Sequence, residues 1–362
     1  MSALNASVER AIAAIRAGQM VIVVDAAERE NEGDLVMAAQ YVSARDVHFM
    51  SAEGRGLVCV PMTAARLGAL RIDPMVACNS DPAGTAFHVS VDVRAGTSTG
   101  ISASARASTI RALADPHSRA EDFSRPGHIF PLAAREGGVL QRAGHTEAAI
   151  DLVTLASLEP VAVICEIADS DGEMARMRAL VEFAKRHQMV MVTIAQLAAY
   201  RRRTEQLIDR VGHARLPLPQ GQFTAVGYRD ITNSAERLAL VHGDLTTVDH
   251  VAVYVHTECL YGDAFGSVGC HCGTRLTQAL ALIADIGAGV ILYRRDADSL
   301  KCGPPSRQLD DIDTQILTDL GTNSSTTELV SIPTKRFATG DVPTGVGRAP
   351  EPFSRQHPPR TA

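Results

Sequence analysis

Short apolar runs and helical patterns alternate along the first two hundred residues. Met20–Val24 and Val161–Glu166 are rich in β-branched side chains, as buried strands are. Residues 146–156 and Met174–His187 predict helices. The stretch 78–100 is rich in Gly, Ser, Thr and Asp, which favours loops over regular structure. We therefore predict a mixed α+β class for this part of the chain.

A change in composition divides the chain. The segment 203–222 contains "GHARLPLPQGQ", which is rich in Pro, Gly and polar residues and predicts a linker. A second alternating region follows, with strands near 223–231, 237–242, 251–256 and 289–293 and a helix near 274–286. We expect a mixed-sheet N-terminal domain over 1–202 and a smaller α/β domain over 223–338. The Pro-rich, polar stretch 339–362 predicts a disordered tail.

Length and composition exclude several classes of protein. A chain of 362 residues is too long for one ordinary core, which favours two domains. The net charge of -6, the absence of Trp and an aromatic content of 4% argue against a nucleic-acid partner. No apolar stretch could span a bilayer and no signal-peptide pattern is present, so we expect a cytoplasmic protein without a membrane partner. The seven cysteines are odd in number, which favours reduced thiols or metal ligands over disulfides.

Five carboxylates follow the first predicted strand within ten residues: Asp25, Glu28, Glu30, Glu32 and Asp34. Most charge clusters are solvated turns, but this one comes directly after a buried strand, where functional groups are often presented. In an extended segment Glu30, Glu32 and Asp34 would face one side. Crowded carboxylates repel one another unless a cation neutralises them, and oxygen ligands favour Mg²⁺ or Mn²⁺.

Two histidine motifs and one isolated carboxylate add to this chemistry. His128 lies within "RPGHIFP", and "QRAGHTEAAID" places a set of polar and small residues at a predicted helix start: Arg142, Gly144, His145 and Thr146. Free N–H groups there, with an Arg and a Thr hydroxyl, form a phosphate cradle. Most single histidines are surface or core residues, which is the alternative here. Glu166 ends the apolar strand "VAVICE", where a functional role explains a carboxylate better than a structural one.

In order and spacing, "DAAERENEGDLV", "GHIFPL", "RAGHTEAAIDL" and "CEIADSDGEMAR" resemble the signatures of 3,4-dihydroxy-2-butanone-4-phosphate synthase from about residue 8 to 200. The resemblance implies a homodimeric lyase of riboflavin biosynthesis that converts D-ribulose 5-phosphate to L-3,4-dihydroxy-2-butanone 4-phosphate and formate. It implies that Glu30 and His145 bind Mg²⁺ or Mn²⁺. The substrate-binding positions that it implies are Arg29, Glu30, Asp34, Arg142, Ala143, Gly144, His145, Thr146 and Glu166. The catalytic positions that it implies are His128, Glu166, Glu32 and Asp25.

The second region carries a cysteine motif. "HTECLYGDAFGSVGCHCG" spaces Cys259, Cys270 and Cys272 as C-x10-C-x-C, which predicts a Zn²⁺ site of three thiolates with one position open to water. Three buried cysteines without a metal are the alternative, which the Gly-rich turn disfavours. The segment resembles the zinc motif of GTP cyclohydrolase II, and the order of the two regions resembles that of bifunctional riboflavin enzymes.

The resemblance to GTP cyclohydrolase II weakens after the zinc motif. Tyr254 stands where that family has an Arg, and Arg275 where it has a Gln that contacts GTP. The run 296–298 reads Asp-Ala-Asp in place of a Glu-Gly-Arg that handles the triphosphate, which turns attraction into repulsion. The catalytic Asp and Arg of that family align roughly with Ser306 and Gln308.

Three interpretations remain open on the sequence. We favour an active synthase with a cyclohydrolase-like domain that has lost its activity. The first alternative is a bifunctional enzyme that also hydrolyses GTP to the diaminopyrimidine precursor and formate. The second is a non-catalytic scaffold or regulatory paralogue, which the intact Glu30, His145, His128 and Glu166 disfavour.

Overall fold

The chain divides into two compact units, Met1–Gln206 and Leu207–Ala362. The structure is a computed structural model, and it describes residues 3–96, 99–295, 302, 308–322 and 326–332. The run 296–298, Ser306 and the predicted tail 339–362 lie outside the described residues. Each unit is built on one mixed sheet, so the predicted α+β class with two structural units is confirmed.

The first unit contains a seven-stranded sheet flanked by helices. Its helices are α1 Ala3–Arg16, α2 Ala44–Phe49, α3 Ala64–Ala69, α4 Ala103–Ala114, α5 His145–Leu155, α6 Met177–His187 and α7 Ile194–Thr204. Its strands are β1 Val21–Val24, β2 Gly33–Ala38, β3 Cys59–Thr63, β4 Val91–Val93, β5 Phe123–Ala134, β6 Ala162–Glu166 and β7 Val190–Thr193. They lie in the order β4-β5-β3-β6-β2-β1-β7, and parallel and antiparallel pairs are both present.

Both faces of this sheet are covered, which explains the unbroken apolar runs of its central strands. Ile22 and Val24 of β1 belong to one buried cluster, whereas Val21 and Val23 belong to another. Successive side chains of a strand point to opposite faces, so the two clusters are the two sides of the sheet. A strand buried on both sides has no polar face, and its sequence therefore lacks alternation.

In its described residues the second unit contains a six-stranded sheet and two helices. The helices are α8 Cys272–Ile286 and α9 Asp311–Asp319. The strands are β8 Ile208–Leu218, β9 Gly221–Asp230, β10 Glu236–His242, β11 Val251–Thr257, β12 Gly289–Arg294 and β13 Thr327–Leu329. Their order is β13-β11-β12-β10-β9-β8, and α8 packs its apolar face against the sheet around Ile283 and Ile291.

The segment predicted as a linker, 203–222, is mostly strand in the structure. β8 pairs with β9 from Ile208 opposite Asp230 to Leu218 opposite Gly221. Most side chains of β8 are exposed, and Pro217 lies within it. An edge strand bonded through its main chain tolerates proline and needs no apolar face. The composition of this segment resembles that of a linker for that reason, and the prediction of a linker there is wrong.

Among the described residues, no helix combines the length and the apolar character needed to cross a bilayer.

A buried ion pair joins helices α5 and α7 of the first unit. Arg201 of α7 donates from Nη1 to the Asp151 carboxylate of α5 at 2.8 Å and to the carbonyl of Gly137 at 2.9 Å. Asp151 also accepts from the main-chain N–H of Val139 at 2.9 Å. This network fixes α5, the helix whose first residue is His145.

We expect Arg201→Ala to lower the free energy of unfolding of the first unit by about 3–5 kcal/mol, because the Asp151 carboxylate would remain buried without its cation. The control is Arg178→Ala, since the Arg178 side chain is 95% exposed and its ion pair with Glu182, at 3.8 Å, lies on the surface. Surface changes of this kind stay within about 0.5 kcal/mol. Urea unfolding followed by circular dichroism measures both variants, and equal midpoints would contradict the structural role of Arg201.

Candidate active site

A single buried carboxylate organises the acidic loop between β1 and β2. These strands pair antiparallel, with Val24 opposite Gly33. Asp25 follows β1 and accepts from the main-chain N–H groups of Glu30 at 2.9 Å and Glu32 at 2.8 Å. It also accepts from Nη1 of Arg29 at 3.1 Å. With all these bonds satisfied inside the protein, Asp25 fixes the course of the loop.

The loop is folded rather than extended. Asn31 has φ of 56°, in the left-handed region, so the alternation assumed for Glu30, Glu32 and Asp34 does not apply. Arg176 donates to the carbonyls of Glu30 at 2.7 Å and Asn31 at 2.6 Å and holds this turn. The three carboxylates still influence one another's ionisation, since Asp34 lies on β2 just after the loop. The predicted clustering occurs, but the geometry behind the prediction is wrong.

His145 brings the start of α5 to this loop. Its Nδ1 lies 3.7 Å from Oε2 of Glu30 and 3.9 Å from Oδ1 of Asp34. One ligand atom each of Asp25, Glu30 and His145 can be chosen so that all lie within 4.8 Å of one another. The structure therefore brings together Glu30 and His145, the two residues predicted to bind Mg²⁺ or Mn²⁺, although they are far apart in sequence.

Burial and crowding shift the pKa values of these groups in opposite directions. Burial raises the pKa of Asp34 to about 7, although the nearby His145 opposes the rise. Burial and the charge of Glu30 raise the pKa of Glu32. A hydrogen bond from His145 lowers the pKa of Glu30 despite its burial. Burial would lower the pKa of His145, but Asp34 and Glu30 outweigh it and raise this pKa to about 9.

Two polar atoms of the cluster are buried without a hydrogen-bond partner among the described residues: Oδ1 of Asp34 and Nε2 of His145. An unsatisfied buried polar group costs about 1–3 kcal/mol, so such atoms are uncommon unless they bind something. Carboxylate oxygens can coordinate a divalent cation, and so can a neutral imidazole nitrogen. The donor set and the unpaired atoms therefore fit a metal ion.

Glu166 lies beside this cluster at the end of β6. It is directly opposite Asp34 in the antiparallel pairing of β2 with β6. Its Oε2 accepts from the main-chain N–H of Leu57 at 2.8 Å. A Cβ on Gly56 would lie 2.5 Å from the same oxygen, so glycine is required where that segment passes the carboxylate. The structure thus places Glu166 next to the predicted metal group.

His128 lies on β5 in a second polar group that the sequence did not predict. Asp92 of β4 accepts from the main-chain N–H of His128 at 2.9 Å and bonds Nδ1 of its ring at 2.7 Å. A Cβ on Gly100 would lie 2.0 Å from Oδ2 of Asp92, so glycine at 100 makes room for the pair. The one sequence signal for Asp92 is a carboxylate between Val91 and Val93. Within the part of the chain that the structure describes, no hydrogen bond or ion pair joins His128 to the cluster around His145.

Arg142 was predicted to bind the substrate, but in the structure its guanidinium contacts the protein. It donates to Glu147 at 2.7 Å, to the carbonyl of Ala83 at 2.9 Å and to Oγ1 of Thr85 at 3.1 Å. A Cβ on Gly144 would lie 2.2 Å from Nη1 of Arg142. Arg142 therefore ties the segment near residue 84 to the start of α5. Of the neighbouring predicted positions, Thr146 is buried and Ala143 is exposed.

The predicted cysteine ligands meet in the second unit, with one addition. Sγ of Cys259 lies 3.7 Å from Sγ of Cys270, and Cys272 begins α8. Cys302, which the sequence analysis missed, places its sulfur 3.3 Å from that of Cys272. All four sulfurs lie within 4.8 Å of one another. Cys302 follows Cys272 by thirty residues, and no motif spacing connects them.

Comparison with known proteins accounts for both units. A family model described as 3,4-dihydroxy-2-butanone 4-phosphate synthase matches residues 9–200. A second, described as GTP cyclohydrolase II, matches residues 209–301. The riboflavin biosynthesis protein RibBA of Rhodococcus jostii (strain RHA1) is 51% identical over 295 residues, which cover 80% of this chain and 71% of that protein. The chain belongs to the 3,4-dihydroxy-2-butanone 4-phosphate synthase family.

Solved structures agree with this family. The crystal structure of RibBX, a two-domain 3,4-dihydroxy-2-butanone 4-phosphate synthase from A. baumannii, is 36% identical and covers 91% of this chain and 94% of its own, with a TM-score of 0.71. A synthase in complex with two magnesium ions is 42% identical and covers 54% of this chain and 97% of its own, with a TM-score of 0.53.

The predicted activity is thereby confirmed. The chain is a lyase of riboflavin biosynthesis that converts D-ribulose 5-phosphate to L-3,4-dihydroxy-2-butanone 4-phosphate and formate. The loss of cyclohydrolase activity and the roles of individual residues stay predictions.

We expect Asp92→Asn to lower kcat for formate release from ribulose 5-phosphate by about 10²-fold, with a smaller change in KM. Asp92 holds His128 through two bonds, and an acid–base group contributes about 10²–10⁴-fold. Asp285→Asn, at an exposed position of α8, serves as the control. A kcat of Asp92→Asn equal to that of the control would show that the orientation of His128 does not matter.

Proposed function

We propose that the synthase reaction takes place at the cluster around His145, with Glu30 and His145 holding one Mg²⁺ or Mn²⁺. The observation that carries this proposal is the pair of unpaired buried atoms, Oδ1 of Asp34 and Nε2 of His145. A metal ion would also relieve the repulsion between Glu30, Asp34 and their neighbours. When bound, the cation polarises carbonyl and hydroxyl oxygens of a sugar phosphate.

The residues around the proposed metal ion have separate proposed roles in the reaction. Three hydrogen bonds, from the main-chain N–H groups of Glu30 and Glu32 and from Arg29, hold the Asp25 carboxylate, and we assign it the positioning of the loop. Glu166, opposite Asp34, is placed to accept or return a proton beside the metal group. We assign Glu32 and Asp34 to the hydroxyl groups of the substrate, since both lie in the same acidic cluster.

The start of α5 is the proposed phosphate site. Free N–H groups at a helix N-terminus attract anions, and Gly144 and Thr146 flank His145 there. Arg142 acts on this site through position, since its guanidinium holds Glu147 and the carbonyl of Ala83. Arg29, which bonds Asp25 and Glu30, contributes a positive charge within the loop.

We propose that His128 completes the site in a homodimer. Its side chain is 41% exposed and is joined to Asp92 through Nδ1, so its Nε2 is available to a ligand or a neighbouring chain. Analytical ultracentrifugation should give twice the mass of the 362-residue chain.

We also propose a cytoplasmic location, because all seven cysteines are free thiols, as in reducing compartments.

In the second unit we propose a Zn²⁺ ion bound by Cys259, Cys270 and Cys272, without GTP hydrolysis. The sulfur positions support the metal. The match to GTP cyclohydrolase II ends at residue 301, before Ser306 and Gln308, which stand at the positions of the catalytic pair. The Asp and Arg of that family are then missing at these two positions, and a bound metal alone would not orient and cleave GTP.

Removal of divalent metal with EDTA should abolish formate production from ribulose 5-phosphate, and added Mg²⁺ should restore it. Glu30→Gln and His145→Ala should reduce kcat by at least about 10²-fold, because each removes a proposed metal ligand. Glu28→Gln is the matched control, since Glu28 belongs to the same loop but its side chain is exposed. Undiminished activity in EDTA would contradict the metal assignment.

Incubation of the full chain with GTP, Mg²⁺ and Zn²⁺ should give neither formate nor the diaminopyrimidine product. Ribulose 5-phosphate in the same preparation is the positive control for folded enzyme. Product formation from GTP that depends on zinc would instead establish the bifunctional alternative, which the relationship to RibBA proteins favours.

A further inference from the structure

The four sulfurs of the second unit form a more complete group than the proposed three-cysteine site requires. Each cysteine contributes one atom, and all pairs lie within 4.8 Å. Four thiolates saturate tetrahedral Zn²⁺, whereas a catalytic zinc keeps one position for water. Cys302 lies one residue beyond the part of the chain that matches GTP cyclohydrolase II. The fourth sulfur is therefore a feature of this chain that the family match does not supply.

We propose that Cys302 closes the zinc site, so that the ion is held by Cys259, Cys270, Cys272 and Cys302 and has a structural function. This inference rests on the proposed binding of zinc by the first three cysteines. Since Cys302 occupies the position that would otherwise bind water, the site cannot activate a water molecule for attack on GTP.

The surroundings of the sulfurs suit a charged thiolate cluster. Arg275 donates from Nη2 to Sγ of Cys272 at 3.2 Å. Main-chain N–H groups of Gly262 and Cys272 donate to the sulfurs of Cys259 and Cys270. Four thiolates around Zn²⁺ carry one more negative charge than three thiolates and a water molecule. A guanidinium and N–H donors stabilise that extra charge.

Two glycines allow the chain to turn tightly around the cluster. A Cβ on Gly262 would lie 2.8 Å from Sγ of Cys270, and a Cβ on Gly273 would lie 2.2 Å from the carbonyl of Gly262. Among the described residues, His256 does not belong to the group of potential ligands formed by the four sulfurs, and its Nε2 bonds Asp263 at 2.9 Å. Asp263 also accepts from the main-chain N–H of Cys259 at 2.9 Å, which orients that cysteine.

The closed site would join three elements of the second unit. Cys259 follows β11, Cys272 begins α8, and Cys302 comes eight residues after the end of β12. A metal that links segments distant in sequence stabilises a fold much as a disulfide does, because the unfolded chain lacks the preformed site. Zinc retention after loss of the cyclohydrolase chemistry then has a physical reason.

X-ray absorption at the zinc edge of the full chain counts the ligands directly. We expect four sulfurs at about 2.3 Å in the wild type and three sulfurs with one oxygen or nitrogen in Cys302→Ser. Cys302 is exposed, so this variant should fold and should keep its synthase activity. Cys78→Ser, which removes an exposed cysteine of the first unit, is the control and should keep four sulfurs.

Competition with a chromogenic chelator gives a second readout. Cys302→Ser should lose zinc affinity by at least the roughly 10–100-fold that removal of an outer-shell partner costs. A wild-type shell of three sulfurs and one oxygen, unchanged in Cys302→Ser, would overturn the fourth ligand and leave the three-cysteine proposal standing. Absence of zinc from the wild type would overturn both, while the synthase assay would remain independent of either result.

Discussion

A carboxylate that leaves water needs hydrogen-bond donors or a cation, and the first unit is organised by this requirement. Asp25 meets it with two main-chain N–H groups and Arg29, and so shapes the loop that follows β1. Glu30 meets it through His145 and Arg29, whereas Asp34 meets it only in part, through His145. The packing of β2, β6 and α5 holds these groups together and so offsets the remaining repulsion between them.

Much of this arrangement could be predicted from the sequence, because β1, β6 and α5 are marked by continuous apolar runs or helical spacing. The residues around His145 carried a family signature. Asp92 and Cys302 could not be found in this way, since each acquires its function from a partner distant in sequence. β8 was missed because an edge strand formed by main-chain pairing has no apolar pattern to detect.

Both units contain a cluster of potential metal ligands, but the proposed functions of the two clusters differ. In each, potential metal ligands lie within 4.8 Å of one another, and main-chain N–H donors and an arginine contact them. In the first unit an ion held by Glu30 and His145 would keep further positions for substrate. In the second, the fourth sulfur would fill the remaining position. The difference in chemistry follows from one additional ligand.

The central claim is that Glu30 and His145 hold the catalytic cation, and anomalous scattering tests it most directly. Crystals of the full chain grown with Mn²⁺ and measured at the manganese edge should show a peak bonded to the Glu30 carboxylate and to the imidazole of His145. A peak bonded to other residues, in crystals whose dissolved protein still converts ribulose 5-phosphate, would contradict the account.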